Sequence, residues 1–257
     1  MTPPHASAYS SVDVLAVGAH PDDVELGVGG TLHKLAQRGF AVGILDLTRG
    51  EMSTRGSIEE RAVEAANAAQ VLGVGRRENA GIPDGTIANT KELQAAVIPF
   101  IRSFRPKTLI VPMMDDRHPD HAAAYHLMRA AAFFAGLAKI DTGHEPFRPR
   151  HIYYYHPYYE SPTPPQLVVD ITGSFDAKLA ALRTHATQFL NPDMPGPQTY
   201  VSSQSFWENI RVRAAYWGNR IGAGYGEPLY CDGPIGVAVP PGIGETRLGE
   251  TPLGETA

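Results

Sequence analysis

Short, nearly continuous apolar runs alternate along the chain with longer segments whose apolar residues recur every three or four positions. "DVLAVGA" (13–19), "AVGILDL" (41–47) and "KTLIVPM" (107–113) read as strands buried on both faces, with a shorter strand at 78–81. Between them the spacing turns helical. One helix is predicted from about Val24 to Arg38, with Leu26, Leu32 and Leu35 apolar, and Gly39 stands where it should stop. A second carries Ile58, Ala62, Ala65, Ala69 and Leu72 behind Ser57 and Glu60, which have capping-box spacing. A third runs from Lys91 to Phe104 and ends before Pro106, and a long Ala-rich helix starts near Pro119 or Asp120. "HIYYYHP" and "QLVVDIT" are expected as later strands. The first of these should be more exposed or antiparallel, because polar and aromatic residues alternate in it. Helices near 173–190 and 203–219 close the chain. This alternation predicts an α/β protein, with a Rossmann-like three-layer α/β/α fold around a mostly parallel sheet.

No linker-like composition interrupts residues 11–240, so a single domain is expected there. The segment "GETRLGETPLGETA" repeats Gly-Glu-Thr three times with little to bury, so 241–257 should be a disordered tail, as should residues 1–10.

Composition narrows the partners. An apolar share of 43% supports a sizeable core. A net charge of −5 argues against nucleic acid, whose phosphates need a basic face. The single cysteine, Cys231, excludes an internal disulfide and suits a reducing compartment. "MTPPHASAYSS" lacks the basic-then-apolar order of a secretory signal, and no apolar run approaches the roughly 20 residues that span a bilayer. The expectation is a cytoplasmic protein that binds neither nucleic acid nor membrane.

The chemistry is concentrated in two charged knots, each behind a strand and in front of a helix. "AHPDDVE" places His20, Asp22, Asp23 and Glu25 within six positions, and "DDRHPDH" brings His118, Asp120 and His121. In a doubly wound sheet ligands bind at the carboxyl ends of the strands, where connections leave in opposite directions. A 3-2-1-4 strand order would bring the two knots together there. One knot alone would be explained as helix capping by Asp and Pro. Two such knots point to a metal. His20 and Asp23, three apart at a helix entrance, and His121 from the other loop make two imidazoles and a carboxylate, a normal catalytic zinc set with room for water. Asp22 diverges from Asp23 and is free to take a proton from water. His118 is placed to stabilise a developing oxyanion as an imidazolium, with Asp120 orienting and charging it. Glu25 belongs behind the site or at the helix terminus. "GVGG" (27–30) is not a dinucleotide fingerprint, since its spacing is wrong and it lies inside a helix. That removes a nucleotide-dependent dehydrogenase. His33, His126, His151, His156 and His185 read as structural or exposed.

"AHPDDVELGVGGTL" together with "RHPDHAAA" resembles the PIG-L/LmbE-like metal-dependent deacetylases, over about residues 12–236. The resemblance implies removal of an acetyl group from an N-acetylglucosamine (GlcNAc) conjugate. It implies zinc held by His20, Asp23 and His121 (iron(II) accepts the same donors), Asp22 as general base and His118 as oxyanion stabiliser. It also implies a homo-oligomer, a trimer or hexamer. "DLTRGEMSTRGSIEERAVEA", "GIPDG", "DDRHPDH" and "PLYCDGPI" look like the branch that deacetylates N-acetylglucosaminyl malate in bacillithiol synthesis. Within that branch Arg61, Arg117 and Tyr200 match substrate-binding positions, arginine forks being natural partners for the malate carboxylates. Arg55 reads equally well as a solvated loop charge. The alternatives are a relative acting on an inositol conjugate or a chitooligosaccharide, and a non-catalytic sugar-binding module.

Overall fold

The computed structural model describes residues 11–157, 162–194 and 196–236; the two expected disordered tails lie outside them. Five strands form one parallel sheet in the order β3-β2-β1-β4-β5: β1 (Val14–Gly18), β2 (Val42–Asp46), β3 (Arg76–Asn79), β4 (Thr108–Pro112) and β5 (His151–Tyr155). The central β1 is buried along its whole length, which is why its sequence is apolar without alternation. Successive side chains still point to opposite faces. Leu15 and Val17 pack with α3 (Lys91–Phe104) and α4 (Pro119–Phe134), while Val14 and Ala16 pack with Val24, Val28 and Leu32 of α1 (Asp23–Gln37). Helices α2 (Ile58–Leu72) and α5 (Phe175–Thr184) lie beside α1, completing three α/β/α layers. The capping box of Ser57 and Glu60 starts α2, and Gly73 ends it at φ 71°.

The strand β5 departs from expectation. It pairs parallel with β4 rather than antiparallel, and Tyr154 and Tyr155 are buried in the core. The alternation of its sequence misleads because buried tyrosines carry hydroxyls that need partners. Tyr155 donates to the Val17 carbonyl and Tyr154 to Asp232. Beyond β5, β6 (Leu167–Asp170) pairs antiparallel with β7 (Gly226–Leu229), a strand whose "GEPL" sequence carries no strand signal. The expected helix at 173–190 is a 3-10 turn at Thr172–Ser174 followed by α5, which stops at Thr184. The chain then turns so that Thr187 reaches the Glu64 carboxylate and Gln188 reaches Arg55. Helix α6 (Gln204–Asn219) follows. Among the described residues no helix is long and apolar enough to cross a membrane.

The glycines of "GVGG" serve packing. A Cβ on Gly27 would run into the Tyr155 ring, and one on Gly30 into Ile171. Helix α1 also kinks at Val28, with φ −138°. Two buried charged side chains complete the break. Glu227 of β7 accepts from the Gly30 and Thr31 amides at 3.0 and 2.7 Å. Lys178 of α5 donates to the Leu26 carbonyl at 2.7 Å, the acceptor that Gly30 would use in a straight helix, and to Glu227 at 2.5 Å. These bonds hold α1 at its kink, just after the charged knot.

Candidate metal centre and active site

Strands β1 and β4 are neighbours, so the two knots meet at the carboxyl edge of the sheet. Asp22 is the residue before α1, yet its side chain makes no capping bond, so its carboxylate is not consumed by the helix. Asp23 holds the site together. Its Oδ2 accepts the His20 amide at 2.8 Å and lies 3.4 Å from His20 Nδ1, while its Oδ1 lies 3.1 Å from His121 Nε2. Ring nitrogens of His20, His118 and His121 lie within 4.8 Å of one another. They open, with Asp22, Asp84 and Asp120, onto a cleft of about 580 Å³ whose walls include Met52, Ser53, Arg61, Gln188, Phe189 and Val201.

The electrostatics suit a cation. Burial alone would lower the pKa of His121, but Asp23 and Asp116 outweigh it and raise it to about 9. Burial likewise opposes the charge of His20, and Asp120, Asp23 and Asp84 outweigh it. Asp23 is held well below the usual carboxylate range, its burial overcome by the two imidazoles. A bond to His20 first, with its charge, holds Asp84 at about 2. Two imidazoles locked onto ionised, buried carboxylates are the donor set a divalent metal ion replaces protons in, so His20, Asp23 and His121 fit such an ion.

His118 behaves differently. It caps α4, its Nδ1 accepting the Asp120 amide at 3.3 Å, which leaves the ring proton on Nε2. Burial and then the charges of His121 and His20 lower its pKa. With Nδ1 taken by the Asp120 amide, Nε2–H is the donor His118 can turn toward the cleft. The carboxylate of Asp120, expected to orient His118, instead accepts the Gly85 amide at 3.0 Å and lies 3.4 Å from His20 Nε2. The backbone amide of Asp120 bonds His118 and the Asp120 charge favours protonation of that ring, while the carboxylate itself turns toward the "PDG" turn.

Comparisons with known proteins agree with this geometry. The family model for PIG-L, described as GlcNAc-PI de-N-acetylase, matches residues 15–132. A diacetylchitobiose deacetylase from Thermococcus kodakarensis is 31% identical over 232 residues, covering 84% of this chain and 81% of that protein. The chain belongs to the PIG-L family. A further relative, the 1D-myo-inositol 2-acetamido-2-deoxy-alpha-D-glucopyranoside deacetylase of Kineococcus radiotolerans, is 28% identical and covers 79% of this chain and 77% of its own length. Among solved structures, a conserved protein from Thermus thermophilus matches with a TM-score of 0.80 at 38% identity, covering 89% of this chain and 98% of that one.

The PIG-L family model and the relatives' names support a deacetylase, and the His/Asp cluster is one that can hold a metal ion; the residues expected to meet substrate lie around it. Arg61, matched to a substrate arginine, is only 4% exposed. Its Nη1 donates to the Gly50 carbonyl at 2.9 Å and its Nη2 lies 3.3 Å from Asp22 Oδ2, so this fork faces the Asp22 carboxylate. Arg117 is exposed, and its guanidinium carbon lies 5.1 Å from the ring centre of Tyr200, itself 57% exposed. Their neighbours His118 and Val201 line the cleft, which puts the pair at its rim.

Several residues of this PIG-L site escaped the sequence reading. Asp84 sits in "IPDGT", which reads simply as a turn, yet its Oδ1 lies 3.1 Å from His20 Nε2 and its Oδ2 accepts the Met52 amide. Asp116 lies beside the second knot and contacts His121; only its position in "DDRHPDH" hinted at this. Glu25 is fully buried beneath the site against Arg77 and His185, as expected of a residue behind the ligands.

Proposed function

We propose that the chain is a zinc-dependent hydrolase that removes the acetyl group from a GlcNAc conjugate, with N-acetylglucosaminyl malate as its substrate. One observation carries the hydrolytic reading. Adjacent aspartates are used differently, Asp23 bridging His20 and His121 while Asp22 keeps its carboxylate on the cleft beside Arg61. A metal ion held by His20, Asp23 and His121 supplies Lewis acidity toward the acetyl carbonyl and toward water. Asp22 accepts the proton of the attacking water as its oxygen bonds to the carbonyl carbon. His118 Nε2–H donates a hydrogen bond to the oxyanion that develops. Asp22 then returns the proton to the sugar nitrogen as the C–N bond breaks, releasing acetate and the free amine.

The malate reading rests on the sequence around the knots and on Arg117, an exposed guanidinium at the rim that can reach an aglycone carboxylate. Arg61, turned toward Asp22, does not contribute to it. A second reading is favoured by the Thermococcus kodakarensis relative, which is named for diacetylchitobiose. Acetate release from N-acetylglucosaminyl malate, the GlcNAc–inositol conjugate and N,N'-diacetylchitobiose decides between them. A preference for the malate conjugate that disappears in Arg117→Ala is expected. Equal rates on all three would overturn the aglycone assignment, and zinc uptake without acetate from any would leave a sugar-binding module.

A further inference from the structure

Behind the cleft, a row of alternating carboxylates and imidazoles leads from His121 to the surface. Strands β4 and β5 end side by side, with Pro112 opposite Tyr155, so the residues just after each strand are neighbours. Asp115 and Asp116 follow β4, and His156 follows β5. Asp116 Oδ1 lies 3.2 Å from His121 Nδ1 and accepts the His118 amide at 2.9 Å, while its Oδ2 lies 3.5 Å from His156 Nδ1. His156 Nε2 in turn lies 3.0 Å from Asp115 Oδ1. The side chains of Asp116 and His156 are fully buried, whereas Asp115 is 29% exposed. The His156 ring is wedged edge-on against Tyr230, 5.4 Å between centres.

A buried carboxylate between two imidazoles is costly unless its position matters, since several kcal/mol of desolvation must be offset by well-placed partners. Here the partner is the atom of His121 that does not face Asp23. A ligating imidazole whose second nitrogen donates to a carboxylate is fixed in one tautomer and one ring orientation, and its basicity rises. We propose that Asp116 and His156 are positioning residues for the metal: Asp116 accepts a hydrogen bond from the Nδ1–H of His121 and keeps Nε2 aimed at the ion, and His156 holds Asp116 in place.

This assignment rests on the reading of His121 as a ligand, and its consequences are read from metal affinity rather than turnover. Zinc dissociation constants, measured by competition with a chromophoric chelator, are compared for the parent, Asp116→Asn, His156→Phe and His156→Asn, alongside the melting temperature of each metal-free protein. Asp116→Asn and His156→Phe are expected to bind zinc about 10–100-fold more weakly. His156→Asn, whose amide can donate where Nδ1 stands, should recover most of the loss. A purely structural role predicts the opposite split, with lower melting temperatures and zinc affinities within about threefold of the parent, and would overturn the proposal. If His156→Phe does not fold, Asp116→Asn is read by the same criterion. A parent protein that takes up no zinc would overturn the ligand reading itself, a result distinct from unchanged affinity in the variants.

Discussion

The guanidinium of Arg61, buried at the start of α2, lies 3.3 Å from the carboxylate of Asp22 at the start of α1. A second nitrogen is tied to the Gly50 carbonyl, so the arginine is fixed from behind. That contact holds the Asp22 carboxylate in one orientation, the direction from which the proposed base would take a proton. Arg61→Met is therefore expected to lower kcat about tenfold or more with little change in KM, because orientation of the base is lost and binding is not. Steady-state kinetics on the preferred conjugate checks this, and a rise in KM at constant kcat would return Arg61 to substrate binding.

The pair Lys178 and Glu227 completes the broken rung of α1 from inside the protein. Lys178→Met leaves a buried carboxylate facing the helix with one partner fewer. It is expected to cost roughly 3–5 kcal/mol, the usual penalty for removing one member of a buried ion pair. Urea unfolding of the metal-free protein measures it. Replacing both residues, with Glu227→Leu added, should cost less than the sum of the single changes, since neither charge is then left alone.

Asp46 gives a pH signature. Burial pushes its carboxyl up to about 6, against the pull of Arg77 and with the charge of Glu25 adding to the rise. The unfolded chain titrates near pH ~3.9. Between those values the folded protein holds the extra proton, so this group's contribution is full below about pH 4 and is lost as pH rises through 6. The loss is about 3 kcal/mol in all, from roughly two pKa units. Asp46→Asn cannot titrate. The unfolding free energy of the variant relative to the parent should therefore climb by about that amount from pH 4 to 7, whatever its starting offset. A difference independent of pH would contradict the assignment.

Much of this molecule is legible in its sequence because the relevant physics is local. Buried parallel strands need unbroken apolar runs, so β1, β2 and β4 announce themselves, and the adjacency of β1 and β4 places both knots at one edge. What the sequence conceals depends on distant partners. The "GEPL" of β7 has poor strand residues, but Glu227 is there to serve amides of α1 nearly 200 positions away. The β3 segment "RREN" is polar because Arg77 lies against Asp46 and Glu25. The tyrosines of β5 look half-solvated until Val17 and Asp232 are seen to take their hydroxyls. In the site itself the knots were visible and their division of labour required the resemblance. Asp84 and Asp116 needed the fold, since nothing in a turn sequence says which imidazole it will meet.

Asp22 and Asp23, adjacent in the chain, are assigned different work, and zinc content measured together with acetate release tests that division most directly. Each protein is stripped, reloaded with zinc and assayed on the preferred GlcNAc conjugate. Asp22→Ala should bind zinc as the parent does and lose about 10²–10⁴-fold in kcat, the range for removal of a general base. Asp23→Ala should fail to retain zinc. Full acetate release by zinc-loaded Asp22→Ala, or undiminished zinc binding by Asp23→Ala, would contradict the account.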